Sequence, residues 1–190
     1  MDILEQIRQY KPVNLQEMAD KQVMLEYIIK GDRVWERANK IAHFTASAWI
    51  VNAARDKVLM AYHNIYQSWS WTGGHADGNE NLAEVAVKEA LEETGLSEIK
   101  CLLDEIYSLE TIRVDGHMKN GLYVPTHLHL NVTYLLEADE EAPLTIKADE
   151  NAGLQWFKLE EAIQKSTEPW MQGIYRKLND KLEKKAIKSL

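Results

Sequence analysis

The sequence predicts an α+β fold in which helices accompany a β-sheet. Residues 41–51 and 126–136 alternate between apolar and polar side chains, which is typical of strands buried on one face. A glycine-rich turn at residues 73–78 precedes a helical pattern over residues 79–94. Further helical patterns occupy both ends of the chain, within residues 2–38 and from Pro169 onward. Strands therefore flank the central helix on both sides, and a helix follows the last strand.

The remaining elements follow from shorter signals. In the N-terminal region, Asn14 with Glu17 three residues later is typical of a helix start. Gly95 suits the left-handed position just after the central helix. Additional strands are predicted at residues 57–62, 99–103, 105–115 and 154–158. Residues 116–125, with two glycines, an asparagine and a proline, are predicted to form a loop.

The length of the chain predicts one domain with an extension. The chain has 190 residues, of which 45% are hydrophobic, enough for a sizeable core. Residues 1–40 are predicted to form a helical N-terminal extension, and residues 41–190 the main domain including the C-terminal helix. The extension is interpreted as packing against the domain, with a dimer contact or a partial lid as the alternative. A homodimer is therefore a possible assembly.

Composition excludes several classes of partner. The net charge is −8, with 22 basic and 30 acidic residues, so the chain offers no basic footprint for long nucleic acid or an acidic membrane. A small phosphorylated ligand remains compatible, because a metal can supply positive charge locally. The single cysteine, Cys101, excludes an internal disulfide and is predicted to be a buried small hydrophobe. No signal peptide or membrane-spanning apolar run is recognised, so a cytoplasmic location is expected.

The central helix carries a crowded acidic face. Glu89, Glu92 and Glu93 project from one side of it, and Ala83, Val87, Ala90 and Leu91 form a core-facing stripe. The three carboxylates repel one another and lie at the helix end where the macrodipole disfavours negative charge. Hard oxygen ligands on one face suit Mg²⁺ or Mn²⁺. The alternative is a solvated acidic face in which Glu84 pairs with Lys88.

The spacing of these residues resembles the Nudix box of the Nudix hydrolases, G-x5-E-x7-R-E-U-x-E-E-x-G-U, with U aliphatic. The positions that match are Gly74, Glu80, Glu89, Glu92, Glu93, Gly95 and Leu96. Lys88 replaces the usual arginine and is the one clear departure. The resemblance implies an α/β/α sandwich in which a mixed sheet lies between helices, and the order of predicted elements from about residue 41 to 165 agrees with it.

The resemblance also implies an activity and a set of site residues. Nudix enzymes cleave a diphosphate linked to another moiety, usually in a nucleoside diphosphate derivative, and use Mg²⁺ or Mn²⁺. By position, Glu89, Glu92, Glu93 and the carbonyl of Gly74 are similar to the metal ligands, and Glu89 can also orient or deprotonate water. Glu150 is a candidate for an additional base outside the box. Lys88 offers a point charge where arginine offers a planar fork, so activity is expected to survive.

Two pairs of residues are candidates for substrate contact. Trp69 and Trp71 share a face just before the glycines and either pack within a strand or form a wall for base stacking. His127 and His129 lie on the polar face of the strand 126–136 and either touch substrate or face solvent. A His-x-His pair can ligate zinc, but no cysteine and no obvious third ligand accompanies it, so a zinc site is not expected.

Three functional interpretations remain open on the sequence alone. The first is a metal-dependent diphosphate hydrolase, which the intact glutamates favour. The second is a catalytically silent Nudix-like module that binds a nucleotide or a protein, supported only by Lys88. The third, an isomerase of isoprenoid diphosphates, would require a suitably placed cysteine, and Cys101 lies after the helix. The identity of the substrate has no marker in the sequence.

Overall fold

A computed structural model describes residues 1–31, 33–119 and 121–188 of the chain. The helices are α1 Ile3–Gln9, α2 Leu15–Lys30, α3 Leu82–Thr94, α4 Leu159–Lys165 and α5 Pro169–Lys188. The strands are β1 Ala42–Val51, β2 Lys57–His63, β3 Ser68–Ser70, β4 Thr72–His75, β5 Lys100–Cys101, β6 Ser108–Val114, β7 His117–Lys119, β8 Leu122–Val124, β9 His127–Glu137 and β10 Asn151–Lys158. The predicted strands and helices between residues 41 and 165 therefore occur in the predicted order, but three further strands accompany them: β4, where a glycine-rich turn is predicted, and β7 and β8, where a loop is predicted.

The strands form a mixed sheet. Five of them follow one another in the order β10-β2-β1-β9-β5, while β3 also pairs with β2, β4 with β1 and β6 with β9. The β1–β2, β2–β10 and β6–β9 pairs are antiparallel. The neighbours β1 and β9 run parallel, because Leu128 N donates to Ile41 O near their starts and Ala138 N donates to Val51 O near their ends.

The chain divides into two compact units, which do not follow its linear order. The first comprises Met1–Ser47, Gly73–Ala86 and Leu103–Tyr134, and the second comprises Ala48–Thr72, Val87–Leu102 and Leu135–Leu190. Strands β1 and β9 and helix α3 contribute residues to both units. The division into residues 1–40 and 41–190 stays a prediction.

In the first unit, the N-terminal helices begin at side-chain caps. Asp2 accepts a hydrogen bond from Glu5 N, and Asn14 accepts one from Glu17 N, as the sequence predicts for Asn14. The core of this unit includes Ile3, Ile7, Met24, Val34, Phe44, Leu109, Leu130 and Val132.

Helix α2 covers the edge of β6. Gln16 Nε2 donates to Leu109 O at 3.0 Å, and Thr111 N donates to Asp20 Oδ2 at 2.9 Å. These bonds occupy backbone groups that an edge strand leaves without a neighbouring strand. The contacts support the interpretation that the extension packs against the rest of its unit.

The segment after β6 differs from the predicted loop. Residues 116–125 contain the two-stranded hairpin β7–β8, with Met118 opposite Tyr123. Gly121, at φ +77°, supplies a left-handed residue directly before β8; residue 120 lies outside the described residues. The turn-forming residues predict a loop, although glycine and asparagine between short apolar runs also suit a hairpin.

The second unit is built on β2. Strand β10 pairs with β2 from Gly153 opposite Tyr62 to Lys158 opposite Lys57, with an irregular register between Asn151 and Gly153. Helix α5 starts at Pro169, as predicted, since proline suits the first helical turn. The core of this unit includes Trp49, Ile50, Val58, Leu59, Met60, Phe157, Ile163, Tyr175 and Leu178.

The single cysteine, Cys101, is exposed on β5. The prediction of a buried small hydrophobe is therefore wrong, because the strand is only two residues long and both of its residues are exposed.

Among the described residues, no helix is both long and apolar enough to cross a membrane.

Candidate functional site

Helix α3 carries the box glutamates. Its start is fixed by Asn81, whose side-chain oxygen accepts a hydrogen bond from Glu84 N at 3.3 Å. Gly95, at φ +68°, follows the helix and donates its N–H to Leu91 O at 2.9 Å, which confirms its predicted role as the terminating residue. A Cβ at Gly95 would lie 2.6 Å from the Cβ of Thr145, so close packing also requires glycine there.

The buried stripe of α3 differs in detail from the predicted one. Of the four predicted residues, Ala90 is fully buried, whereas the others are half-buried. The fully buried apolar positions are Leu82, Val85, Ala86 and Ala90. Both sets satisfy a helical period, and the sequence pattern alone does not fix the direction in which the stripe points.

Glu93 is the buried member of the glutamate set. Glu93 is only 4% exposed. Its Oε2 accepts a hydrogen bond from Asn151 Nδ2 at 2.9 Å. Asn151 lies at the register irregularity of β10, and such irregularities redirect side chains. A bond from a neutral amide to a carboxylate stabilises the buried charge, so Asn151 holds Glu93 in one orientation.

Glu92 is exposed and lies between two lysines. Lys88 Nζ is 3.6 Å from its Oε1, and Lys147 Nζ is 3.8 Å from its Oε2. The Lys88 side chain is 64% exposed, so this pair contributes little to stability. Lys88 therefore pairs with Glu92, one turn later on the helix, and not with Glu84 as the alternative interpretation supposed.

Glu89 is half-buried. Burial raises the pKa of its carboxyl group above the usual value, and the charge of Glu92 raises it further. Lys147 and Lys88 oppose this rise, while Glu150 adds to it. Glu89 therefore lies in a region where carboxylates outnumber ammonium groups, a setting in which an additional cation is favoured.

Lys147 links Glu92 to the candidate base Glu150. Its Nζ is 3.2 Å from Glu150 Oε1. Burial lowers the pKa of the ammonium group, but Glu150, with Glu89 and Glu92, outweighs this effect and holds that pKa above its usual value. The carboxylates of Glu89, Glu92 and Glu93 are not gathered around one point: among the described residues, only His43, His75 and His129 form a three-residue group of possible ligand atoms within 4.8 Å of one another.

Two box residues that precede α3, Gly74 and Glu80, lie in the first unit. Gly74, predicted as a carbonyl ligand, is on β4. A Cβ on its neighbour Gly73 would lie 2.5 Å from the backbone oxygen of Ala46, so β4 approaches β1 at a distance only glycine permits. Glu80 is exposed, just before the helix.

The two tryptophans take part in aromatic contacts within the second unit. Trp69 meets Tyr62 and Phe157 edge to face, with ring centroids 5.5 and 4.9 Å apart. Trp71 meets Tyr175 edge to face at 5.6 Å, and Trp71 N donates to the Tyr175 hydroxyl. These contacts support the strand-packing interpretation, and base stacking by either residue stays a prediction.

The polar faces of β1 and β9 are largely buried, which bears on the question left open for His127 and His129. Ser47 and Thr45 donate to Asn131 Oδ1, and Asn131 Nδ2 donates to Glu110 Oε2 at 3.1 Å. The exposed fraction of His127 is 8%, and His129 is half-buried. Simple exposure to solvent is therefore wrong for His127.

Several residues in these clusters were missed by sequence reasoning. Asn151 and Lys147 carried no signal, because each meets the glutamates only through the fold. His43 and His75 could have been noticed from the sequence, because His43 belongs to the alternating pattern of residues 41–51 and His75 follows the two glycines of the turn. The structure brings both together with His129, so further nitrogen atoms that could bind a metal do lie beside that histidine.

Comparison with known proteins identifies the family. The sequence model of the NUDIX domain matches residues 42–178, well over half of the chain. The chain belongs to the Nudix family of hydrolases, with the α/β/α sandwich and mixed sheet that the box predicted.

Solved structures agree with this fold. The chain is similar to a C. elegans Ap4A hydrolase, with 19% identity, a TM-score of 0.55 and coverage of 74% of this chain and 97% of that one. It is similar to a NUDIX family hydrolase from Clostridium perfringens, with 23% identity, a TM-score of 0.52 and coverage of 74% of this chain and 96% of that one. It is also similar to the E. coli dihydroneopterin triphosphate pyrophosphohydrolase, with 14% identity, a TM-score of 0.52 and coverage of 80% of this chain and 97% of that one. No curated protein matches the chain by sequence.

Proposed function

We propose that this chain hydrolyses a diphosphate bond in a small nucleoside diphosphate derivative, in a reaction that depends on Mg²⁺ or Mn²⁺. The observation that carries the proposal is the complete set of box glutamates on the last turns of α3. Glu93 is oriented by Asn151, and Glu92 is paired with Lys88 and Lys147. Such a set of carboxylates offers the oxygen donors that hard divalent cations prefer.

The metal ligands are proposed to be Glu89, Glu92 and Glu93, and the carbonyl of Gly74 stays a prediction from the box. The donor chemistry fits the ion, since carboxylate oxygens suit Mg²⁺ and Mn²⁺. A bound divalent cation neutralises charge on the diphosphate and lowers the pKa of water. Glu92 can serve as a ligand only if it gives up part of its pairing with Lys88 and Lys147, so these lysines compete with the metal for its carboxylate.

Two carboxylates are candidates for accepting the proton of the attacking water. Glu89 is half-buried among acidic groups, which makes its carboxylate a better proton acceptor than an exposed one. Glu150 is paired with Lys147 at 3.2 Å, so its carboxylate is already engaged by an ammonium group. We therefore assign the base to Glu89, with Glu150 orienting Lys147.

Lys88 is proposed to balance charge and not to orient a glutamate. Its only ion pair among the described residues is with Glu92, at 3.6 Å, and its side chain is 64% exposed. The orientation that a planar guanidinium would provide is supplied for Glu93 by Asn151. This division of tasks supports activity despite the lysine.

Substrate contacts are proposed for the tryptophans of the second unit. Trp69 and Trp71 are half-buried, so part of each indole remains available to a base. His127 and His129 were predicted to touch substrate, but the Nε2 atoms of their rings lie 3.1 Å apart, and His127 Nδ1 bonds to Pro125 O. These bonds favour a role other than direct substrate contact.

The test is a screen for diphosphate hydrolysis with Mg²⁺ and with Mn²⁺. Nucleoside triphosphates, dinucleoside polyphosphates, nucleotide sugars and pterin triphosphates cover the substrates named for the similar structures. Glu89→Gln and Glu92→Gln should lose most of the turnover, whereas Glu84→Gln, exposed on the same helix, should retain it. Equal turnover in all three variants would contradict the assignment.

The silent-module alternative has its own outcome in the same experiment. It is favoured if nucleotides raise the thermal stability of the wild-type chain but no substrate is hydrolysed with either metal. Restoring the family's arginine with Lys88→Arg then decides whether the lysine is the cause, because activity should appear in that variant alone.

A further inference from the structure

Four imidazole rings meet on the sheet of the first unit. His43 is on β1, His75 on β4, and His127 and His129 on β9, and β1 pairs with both β4 and β9. The ring centroids of His43 lie 5.1, 5.0 and 5.0 Å from those of His75, His127 and His129. We call these four residues the histidine cluster.

Hydrogen bonds to backbone carbonyls show which ring nitrogen carries the lone pair in two members of the cluster, His43 and His127. His43 Nδ1 is 2.9 Å from Asn39 O, and His127 Nδ1 is 2.8 Å from Pro125 O. A carbonyl only accepts, so each Nδ1 carries the hydrogen and each Nε2 of a neutral ring presents a lone pair. Metal-ligating histidines have this same arrangement, with the second ring N–H donated to a backbone carbonyl.

The lone pair of His43 Nε2 is buried and has no hydrogen-bond partner among the described atoms, on a residue only 3% exposed. A buried acceptor without a partner is unfavourable. This one lies where three other imidazole rings converge, and a metal ion bound there would satisfy it.

The distances suit a transition metal. Ligand atoms of His43, His75 and His129 all lie within 4.8 Å of one another, and the Nε2 atoms of His127 and His129 are 3.1 Å apart. Two Zn–N bonds at the tetrahedral angle place their nitrogens about 3.4 Å apart. Small side-chain rotations would therefore bring three or four nitrogens to bonding distance.

The surroundings of the cluster also suit a cation. Next to the cluster, Asn131 connects Thr45 and Ser47 to the buried carboxylate of Glu110, which places negative charge on the same face.

We propose that the histidine cluster binds one first-row transition ion, such as Zn²⁺, through His43, His75 and His129, with His127 as a fourth or alternative ligand. This site consists of residues different from the glutamate set. Imidazole donors select Zn²⁺ and similar ions over Mg²⁺, which prefers oxygen. The ion links the three strands β1, β4 and β9 at a point next to the glycines of β4.

The experiment is a calorimetric titration of the metal-stripped full chain with Zn²⁺ in excess Mg²⁺. Wild type should bind one Zn²⁺ per chain. His43→Gln and His129→Asn should bind at least about tenfold more weakly, because loss of a ligand exceeds the effect of losing a supporting hydrogen bond. His63→Asn, a histidine of β2 outside the cluster, is the matched control and should bind as wild type does.

The glutamate variant Glu92→Gln separates this site from the proposed catalytic one, since it should retain Zn²⁺ binding whether or not the hydrolase proposal holds. Zn²⁺ should raise the Tm of wild type and of His63→Asn but not that of His129→Asn, and this readout also reveals a variant that has not folded. Absence of Zn²⁺ uptake by wild type, or loss of uptake in Glu92→Gln with full retention in the cluster variants, would overturn the proposal.

Discussion

Replacing Asn151 should reveal how strongly the buried carboxylate of Glu93 depends on the amide donor of this residue. Asn151→Leu has a similar size and keeps the backbone hydrogen bonds of β10, but it removes the bond of 2.9 Å to Glu93 Oε2. Hydrogen bonds to charged groups contribute about 1.5–3 kcal/mol, against about 0.5–1.5 for neutral pairs. Because Glu93 is 4% exposed, water replaces the lost donor poorly, and we expect a loss within the upper range.

Asn179 provides a matched control in the same unit. Its Nδ2 donates to Leu159 O at 2.8 Å, and its Oδ1, like that of Asn151, is buried without a hydrogen-bond partner among the described residues. The two asparagines therefore differ mainly in the charge of the acceptor. Urea unfolding in EDTA should show Asn151→Leu to be more destabilising than Asn179→Leu by about 1 kcal/mol.

A double-mutant cycle isolates the pair. Glu93→Gln keeps an acceptor oxygen but removes the charge, so Asn151→Leu should cost about 1 kcal/mol less in that background. If the two substitutions are additive within about 0.5 kcal/mol, the bond to Glu93 is not what Asn151 contributes, and the reasoning is refuted. The same Asn151→Leu chain should bind Mg²⁺ about ten- to a hundred-fold more weakly if Glu93 is a ligand.

Three further predictions concern single positions. Leu130→Ala should lower the free energy of unfolding by about 2–5 kcal/mol in urea denaturation, because Leu130 is fully buried; a loss below that range would mean that the site collapses around the smaller residue. Gly95→Ala should destabilise by about 1–3 kcal/mol, since φ is +68° and a Cβ would meet Thr145; an unchanged Tm would contradict this. Lys88→Arg should keep or raise kcat, and Lys88→Met should lower it about ten- to a hundred-fold; a wild-type kcat in Lys88→Met would show that the pairing with Glu92 is irrelevant to turnover.

The parts of the fold that could be predicted from sequence depend on local signals. The cap at Asn14, the left-handed glycine at Gly95 and the proline that opens α5 each act over a few residues. The box spacing is local as well, because one helix and its preceding turn carry it. These features were predicted correctly because the physics that produces them involves neighbours in the chain.

The partners of the glutamates could not be predicted for the opposite reason. Asn151 meets Glu93 across 58 residues of sequence, and its direction depends on a register irregularity in β10. Lys147 reaches Glu92 from the loop before that strand. No periodicity or spacing records either contact, so the sequence identified the acidic set but not the groups that orient and balance it.

The alternating strands show a different limit, one of interpretation. A period of two reports which residues share a face, but it does not report what covers that face. On β9 the polar set was expected to meet substrate or solvent, yet Asn131 and Thr133 are fully buried. A polar face can be buried only if its groups bond to one another, and Asn131 does so with Glu110 and with the hydroxyls of β1. At the end of the same face, His43 Nε2 has no hydrogen-bond partner among the described residues. Because the rings of His75, His127 and His129 surround it, a ligand is expected there.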